Sequence, residues 1–477
     1  MTRQPTLWTS AEAEAATGGR GTRPWRATGV SIDSRTVMPG DLFVALAGEA
    51  HDGHDHVGAA LRDGAAAALV ARRPTDLSPD APLLMVPDTL EALVRLGTAA
   101  RARAPETRGV AVTGSVGKTS TKDALRHVLG AQAATHGAAS SFNNHIGVPV
   151  TLARLPRAAH YAVYEVGMNH AGEIAPLVRM IRPAATVITT VAPAHVENFA
   201  DGIDGVARAK GEIFAAGGET AIIHRDIPHY DNLAEMARTR GFARIIGFGA
   251  AADAAFRLTG VDLHPDHCDV QAMIDGRALR YRVGAAGHHW AVNSLAVLAA
   301  VQALGADVDA AADAMSQVTA PKGRGQQRAI GPEGRRALLV DDSYNANPAS
   351  MRAAFAVAGG IEPAPGGRRI AVLGDMFELG PDSEAQHADL AAPILAAGID
   401  LVFTCGSRMR RLHDALPAAA RGAHARTSEE LAPVVATAMR AGDVIVVKGS
   451  LASRMRHVVD ALSATGADAT ASTDTIR

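Results

Sequence analysis

The run VAVTGSVGKTSTKDALRHVLG places residues of phosphate-handling type in chain order. A β-branched strand pattern ends in Gly114, Ser115, Val116 and Gly117, and Lys118, Thr119 and Ser120 then open an amphipathic helix. Glycine lets the backbone turn tightly, so successive N–H groups face one anion at the helix N-terminus, where the helix dipole adds attraction. Lys118 supplies a point charge for terminal phosphates, and Thr119 offers a hydroxyl to Mg²⁺. The spacing is TGxxGKT rather than the usual GxxxxGK[ST]. The chemistry implied is binding of ATP or GTP.

A bound nucleoside triphosphate requires a divalent cation held by oxygen ligands, usually at the ends of neighbouring strands. Glu165 closes the strand-like run YAVYE, and His195 follows ATVITTVAPAH, so both are expected at the carboxyl edge where α/β sheets bind ligands. Taken alone, either residue fits a structural or solvated role. The phosphate loop on the same sheet edge is what makes them site candidates.

These residues need a scaffold, and 477 residues exceed one compact core. Three α/β domains are expected. In residues 1–104 a helix starts at Thr9, with Glu12 completing a capping box, before short strands such as DLFVAL and AAALV. Residues 105–319 alternate strand-like runs (VAVTG, YAVYEVG, ATVITTV, TAIIH, RIIGFG) with helices, the pattern of a mostly parallel sheet around a P-loop-type ATPase site. After PKGRGQQR, residues 320–477 repeat the alternation through ALLVDD, a helix from Pro348, RRIAVLGD, LVFTCG and DVIVVKG, a doubly wound, Rossmann-like domain. The tail ATGADATASTDTIR is small, polar and weakly patterned, and is expected to fray.

Lys plus Arg is 47 and Asp plus Glu is 49, a formal net charge of -2, so no basic field exists to hold nucleic acid or an anionic membrane. Every apolar run is cut by charge or Gly before a bilayer-spanning length, and the opening has no apolar signal core. Cys268 and Cys405 lack metal or disulfide spacing, which points to a reducing cytoplasm.

In order, TGSVGKTS, FNNHIGVPVTL, YEVGMNHAGEI, AHVENF, ARAKGEIF, GHHWAVNSLA, DDSYNANPAS, LGDMFELG and VKGS resemble the Mur ligases, over nearly the whole chain except its tail. DDSYNANP and LGDMFELG are similar to the branch that adds D-alanyl-D-alanine. The resemblance implies ATP- and Mg²⁺-dependent joining of UDP-N-acetylmuramoyl-tripeptide to D-alanyl-D-alanine through an acyl phosphate, in peptidoglycan synthesis, by a cytoplasmic monomer with no nucleic-acid partner. It also implies an N-terminal domain that binds the UDP substrate. Lys210 in ARAKGEIF matches the lysine that becomes carbamylated and supports a second Mg²⁺; without that motif it reads as an ordinary helical Lys. His289 and Asn293 resemble the adenine-side HxxxN element, and Arg324 and Asp342 match positions that reach the nucleotide. Ser34 and Arg35 resemble the uridine-nucleotide contacts, and Asn144 a muramoyl contact. Asn345 and Asn347 are candidates for acceptor or nucleotide contacts, and fit equally as turn or capping residues. The HDGHDH loop offers three His with interleaved Asp, yet resembles a family loop with no metal role.

Two other readings stand beside this one. The first is another Mur ligase or a folylpolyglutamate-synthase-like amide ligase; the long DSR-containing first domain argues against the folate enzyme. The second is a P-loop regulatory ATPase, with turnover indifferent to UDP-sugar peptides.

Overall fold

Thr9 and Glu12 open the first helix, Ser10–Thr17, by reciprocal capping: Thr9 N–H donates to Glu12 Oε2 (3.0 Å) and Glu12 N–H to Thr9 Oγ1 (3.3 Å). The computed structural model describes residues 5–48, 51–193, 196–332 and 336–464. The expectation for the tail therefore lies outside the described residues.

The first sheet runs Arg20–Gly21, Leu83–Met85, Ala67–Val70, Asp41–Val44, Gly29–Ser31, parallel except at its Arg20–Gly21 edge. Its core is continuous with that of the next unit. The helix Thr89–Ala102 packs so closely on Gly147–Ala153 that a Cβ at Gly97 would lie 2.9 Å from the Pro149 carbonyl oxygen. Trp8, 1% exposed, donates its indole N–H to Ala153 O (2.8 Å). Truncating such a buried Trp typically costs about 3–5 kcal/mol.

The second sheet has nine strands among the described residues. Arg108–Thr113 lies inside it, with Tyr161–Glu165 and then Thr135–Gly137 on one side, and Ala185–Ile188, Thr220–His224 and Arg244–Gly249 on the other, all parallel. Chain connections diverge at Arg108–Thr113, so the crevice at its carboxyl end is a topological switch point, the usual ligand position in such sheets. The sheet continues through Phe256–Leu263, parallel to Arg244–Gly249, and then through Cys268–Ile274 and Arg277–Val283, each antiparallel to the strand before it, an extension that sequence patterning did not single out. The helix His288–Ala303 is apolar along most of its length and buried against the sheet, with Leu295, Leu298 and Val301 in one core with Val112 and Ile222.

The third sheet runs Gln326–Ile330, Ala337–Asp342, Val444–Lys448, Arg369–Gly374, Leu401–Cys405, Arg421–Ala425, with only the first strand antiparallel. Helices cover both faces, giving it two cores of its own. The helix read from Pro348 spans Pro348–Gly359. No helix of the described residues is long and apolar enough to cross a membrane.

Candidate active site

The strand Arg108–Thr113 delivers the chain into the phosphate loop, and the helix Lys118–Gly130 carries it away. Gly114 (φ +150°) and Gly117 (φ +85°) hold backbone conformations that other residues avoid. Space excludes a side chain as well: a Cβ at Gly114 would lie 1.9 Å from Thr189 Oγ1, and one at Gly117 2.8 Å from Asn293 Nδ2. Asn293 thus stands directly over the loop. Ser115 is held from both sides, its Oγ donating to Ala192 O (2.9 Å) and accepting from Ala192 N–H (3.0 Å). Thr189 Oγ1 donates to Val116 O (2.5 Å). Ser120 donates to Gly117 O (3.2 Å).

Lys118 folds back on the loop, its Nζ donating to Gly114 O (2.6 Å). Burial draws its pKa below the ordinary value; the Glu165 carboxylate opposes this and the Arg324 charge adds to it. A partly desolvated ammonium with one neutral acceptor is well placed to take a phosphate oxygen.

Glu165, 4% exposed at the end of Tyr161–Glu165, accepts from Thr119 Oγ1 at Oε2 (2.9 Å) and from Asn143 Nδ2 at Oε1 (2.8 Å). Ser141 Oγ lies 2.9 Å from the same Thr119 hydroxyl. Thr119, Ser141 and Glu165 therefore gather hard oxygen donors beside the loop, a donor set that suits Mg²⁺. Sequence reasoning gave no role to Ser141, which immediately precedes FNNHIGVPVTL, or to Asn143 within it. Lys122, fully buried, positions that segment by donating to Ala138 O (3.0 Å) and Ser140 O (3.4 Å). His195 lies outside the described residues.

Lys210 sits in the last turn of Gly202–Gly211, 2% exposed. Among the described residues its amine has no hydrogen bond or ion pair, whereas the buried Lys122 and Lys448 both do. Burial first, and the nearby Lys118 charge second, push its pKa well below the ordinary 10.5. Burial thus disfavours the charged form, and the uncharged amine is the nucleophilic one.

The third sheet presents Asp342 at the end of Ala337–Asp342. Its Oδ2 accepts from Lys448 Nζ (2.6 Å), which also donates to Asn345 O (2.9 Å). Burial raises the Asp342 pKa and the Lys448 ammonium opposes the shift. Lys448, 2% exposed, was quoted in VKGS without a role. Arg324 reaches towards the loop, 3.5 Å from Ser141 Oγ, and lies over the Tyr344 ring at 4.2 Å. His289 is exposed in the first turn of His288–Ala303, beside Gly287, whose added Cβ would also meet Val357 of the third unit at 2.9 Å.

Asn347 caps Pro348–Gly359, accepting from Ser350 N–H (2.9 Å), and Asn345 accepts from Ala346 N–H (2.9 Å), so both side chains serve the turn. Asn144 is exposed and its Oδ1 accepts from Ile146 and Gly147 N–H (3.1 and 2.9 Å) at the start of Gly147–Ala153. Ser34 opens a short 3₁₀ turn in the first unit; Arg35 projects into solvent and pairs with Asp33 (2.7 Å). That guanidinium holds the Asp33 carboxyl down at about 2. In the HDGHDH loop, His54 uses both ring nitrogens, on Asp52 Oδ1 (2.6 Å) and Ala71 N–H (2.9 Å), a structural role.

A phosphate cradle at a sheet switch point, oxygen donors beside it and a third α/β unit facing it through Arg324 define the class: a nucleotide-using enzyme of three α/β units. The chain matches the Mur ligase family, catalytic domain at residues 26–114, the Mur ligase middle domain at 112–301, and the Mur ligase, glutamate ligase domain at 323–451. It belongs to the Mur ligase family. It is 37% identical over 441 residues to the UDP-N-acetylmuramoyl-tripeptide--D-alanyl-D-alanine ligase of Escherichia coli (strain K12), covering 92% of this chain and 94% of that one. The ligase of the same name from Bacillus subtilis (strain 168) is 32% identical over 442 residues, 90% of this chain and 92% of the relative. Among solved structures, MurF from Acinetobacter baumannii superposes with a TM-score of 0.82 at 29% identity, covering 96% of this chain and 99% of that one.

Proposed function

We propose that this chain joins D-alanyl-D-alanine to UDP-N-acetylmuramoyl-tripeptide at the expense of ATP, as the names of its relatives state of them. The observation that carries the reading is the convergence of Lys118 and the Thr119–Glu165 pair at one sheet edge, with the Lys210 amine, unpartnered among the described residues, near enough to feel the Lys118 charge.

A carboxylate does not react with an amine at neutral pH. One carboxylate oxygen of the tripeptide attacks the γ-phosphorus of ATP, the bond to the β-bridging oxygen breaks, and ADP leaves. The neutral dipeptide amine then attacks the acyl phosphate carbon, the amine proton departs, and inorganic phosphate leaves with the former carboxylate oxygen. Lys118 and the loop N–H groups hold the phosphates and offset the charge that accumulates; losing one preorganised donor of this kind commonly costs ~10²- to 10³-fold in rate. Thr119 and Glu165 would hold Mg²⁺, which would supply charge neutralisation for the phosphates. Lys210, whose charged form burial disfavours, would add CO₂, release a proton and become a carbamate with oxygen donors for a second ion. Arg324 and the Asp342–Lys448 pair bring the third unit to the nucleotide. We place the enzyme in the cytoplasm as a monomer.

The test measures ADP formation with purified UDP-muramoyl-tripeptide, with and without D-alanyl-D-alanine, alongside L-amino acids and glutamate. Turnover that requires both the UDP-tripeptide and the dipeptide is expected. Equal ADP release without either would instead indicate a regulatory ATPase, and glutamate dependence a folate-type ligase.

A further inference from the structure

Far from the phosphate loop in the chain, the antiparallel extension of the second sheet turns between Phe256–Leu263 and Cys268–Ile274. His264 N–H donates to His267 O (3.0 Å) to close that turn. We propose that this turn is a binding site for a divalent transition-metal ion of the Zn²⁺ type, held by His264, His267 and Asp269.

Three observations carry it. One donor atom from each residue lies within 4.8 Å of the other two. His264 Nε2 is 3.4 Å, and His267 Nε2 3.8 Å, from Asp269 Oδ2. Zinc bonds of about 2.0–2.2 Å in a tetrahedron place ligand atoms roughly 3.4 Å apart, close to both distances.

The second observation is a carboxylate behind one imidazole. His267 Nδ1 lies 2.7 Å from Asp266 Oδ1, an oxygen that accepts, so Nδ1 is the donor there and Nε2 is the nitrogen available to an ion. A carboxylate behind a histidine is the usual support of a metal-bound imidazole. The third is an unmet need. His267 Nε2 is buried and has no hydrogen-bond partner among the described residues.

The His264 and His267 rings stack with centroids 4.2 Å apart and planes 10° from parallel, so the exposed His264 ring must turn out of the stack for both in-plane lone pairs to meet one ion. Arg282 competes in part: its Nε donates to Asp269 Oδ1 (2.8 Å) and its Nη2 to Oδ2 (3.1 Å). A carboxylate oxygen has two lone pairs, so Oδ2 retains one for the ion. Two imidazoles and one carboxylate favour Zn²⁺, Co²⁺ or Ni²⁺ over Mg²⁺, which prefers oxygen and water. The site is thus chemically separate from the cation that accompanies ATP. It also touches the third unit, because Gln327 Nε2 donates to Pro265 O (2.5 Å) within the turn.

The experiment titrates the full-length, metal-stripped protein with Co²⁺ in excess Mg²⁺, follows visible absorption, and then adds Zn²⁺. One equivalent of tetrahedral Co²⁺, displaced by Zn²⁺ and indifferent to Mg²⁺, is expected. The double variant His264→Ala/His267→Ala loses the absorption band while unfolding at the temperature of the metal-free parent. Asp266→Asn, which leaves all three ligands in place, weakens binding about 10- to 100-fold, as loss of a supporting partner does. The proposal is overturned if the parent shows no tetrahedral band, if the double variant binds with unchanged stoichiometry and affinity, or if Glu165→Gln rather than the histidine changes abolishes the band.

Discussion

Replacing Lys210 by Met removes one buried ammonium group and keeps a straight stem of similar length. The stem is 2% exposed and its amine has no partner among the described residues, so no hydrogen bond is broken. Burial and Lys118 hold the folded pKa well below 10.5, and each tenfold displacement of that equilibrium costs about 1.4 kcal/mol when the group is charged in the unfolded chain. Between the folded pKa and 10.5 the unfolded chain holds the extra proton, so stability rises with pH across that window. The penalty is largest below the folded value and gone above about 10.5. In CO₂-depleted buffer, Lys210→Met should therefore unfold at the same or a higher temperature than the parent at neutral pH, with the gap closing on the alkaline side. Its ligase activity should fall about 10²- to 10³-fold, the scale of one lost electrostatic contributor. Bicarbonate should stimulate the parent and leave the Met variant unchanged, and acetate should partly restore Lys210→Ala. Coupled ADP release and thermal unfolding, run in parallel, supply both readouts. A Met variant that turns over like the parent, or that is clearly less stable at neutral pH, refutes the argument.

Gly114→Ala drives a Cβ into Thr189 Oγ1 and adds strain at φ +150°. It should cost about 1–3 kcal/mol and abolish ATP-dependent turnover, as chemical denaturation and ADP assays will show. Glu165→Gln keeps the shape but removes the charge beside Thr119, and should raise the Mg²⁺ concentration for half-maximal activity at least about tenfold; an unchanged requirement would remove Glu165 from the metal's neighbourhood. Asp443, with no exposed side-chain surface, accepts from Arg368 at both oxygens (Nη2 to Oδ2, 2.8 Å) and from Arg440 N–H (2.8 Å). Asp443→Ala leaves the Arg368 guanidinium only Ala438 O and solvent, strips Arg440 N–H of its acceptor, and should destabilise the third unit by about 1–3 kcal/mol in urea unfolding.

The phosphate loop was legible because its strand, glycines, Lys118 and Thr119 are contiguous, and contiguity is what a single sequence displays. Glu165 was legible as the last residue of a strand-like run. Ser141 and Asn143 were not, because each meets its partner 22 residues away through a loop whose path depends on Lys122 and the Gly167 backbone. Lys448 is separated from Asp342 by 106 residues, and only the register of neighbouring parallel strands brings them together. Asn347 could cap or bind by type alone; its bond with Ser350 assigns the capping task. The strand Arg277–Val283 escaped notice because RALRYRV interleaves three arginines with its apolar positions, as an exposed sheet edge permits. The edge strands Gln326–Ile330 and Arg421–Ala425 are polar for the same reason.

Trp8 and the helix Thr89–Ala102 weld the first sheet onto the second through one apolar mass, whereas the third keeps its oil to itself. Mechanically the protein is two bodies whose contacts include Gln327 on Pro265 O and a bearing beside the phosphate loop. That bearing carries Arg324, whose guanidinium lies beside Ser141 and so one hydroxyl away from Thr119. A swing of the third body is therefore expected to register at the grip on the nucleotide before any substrate has been touched.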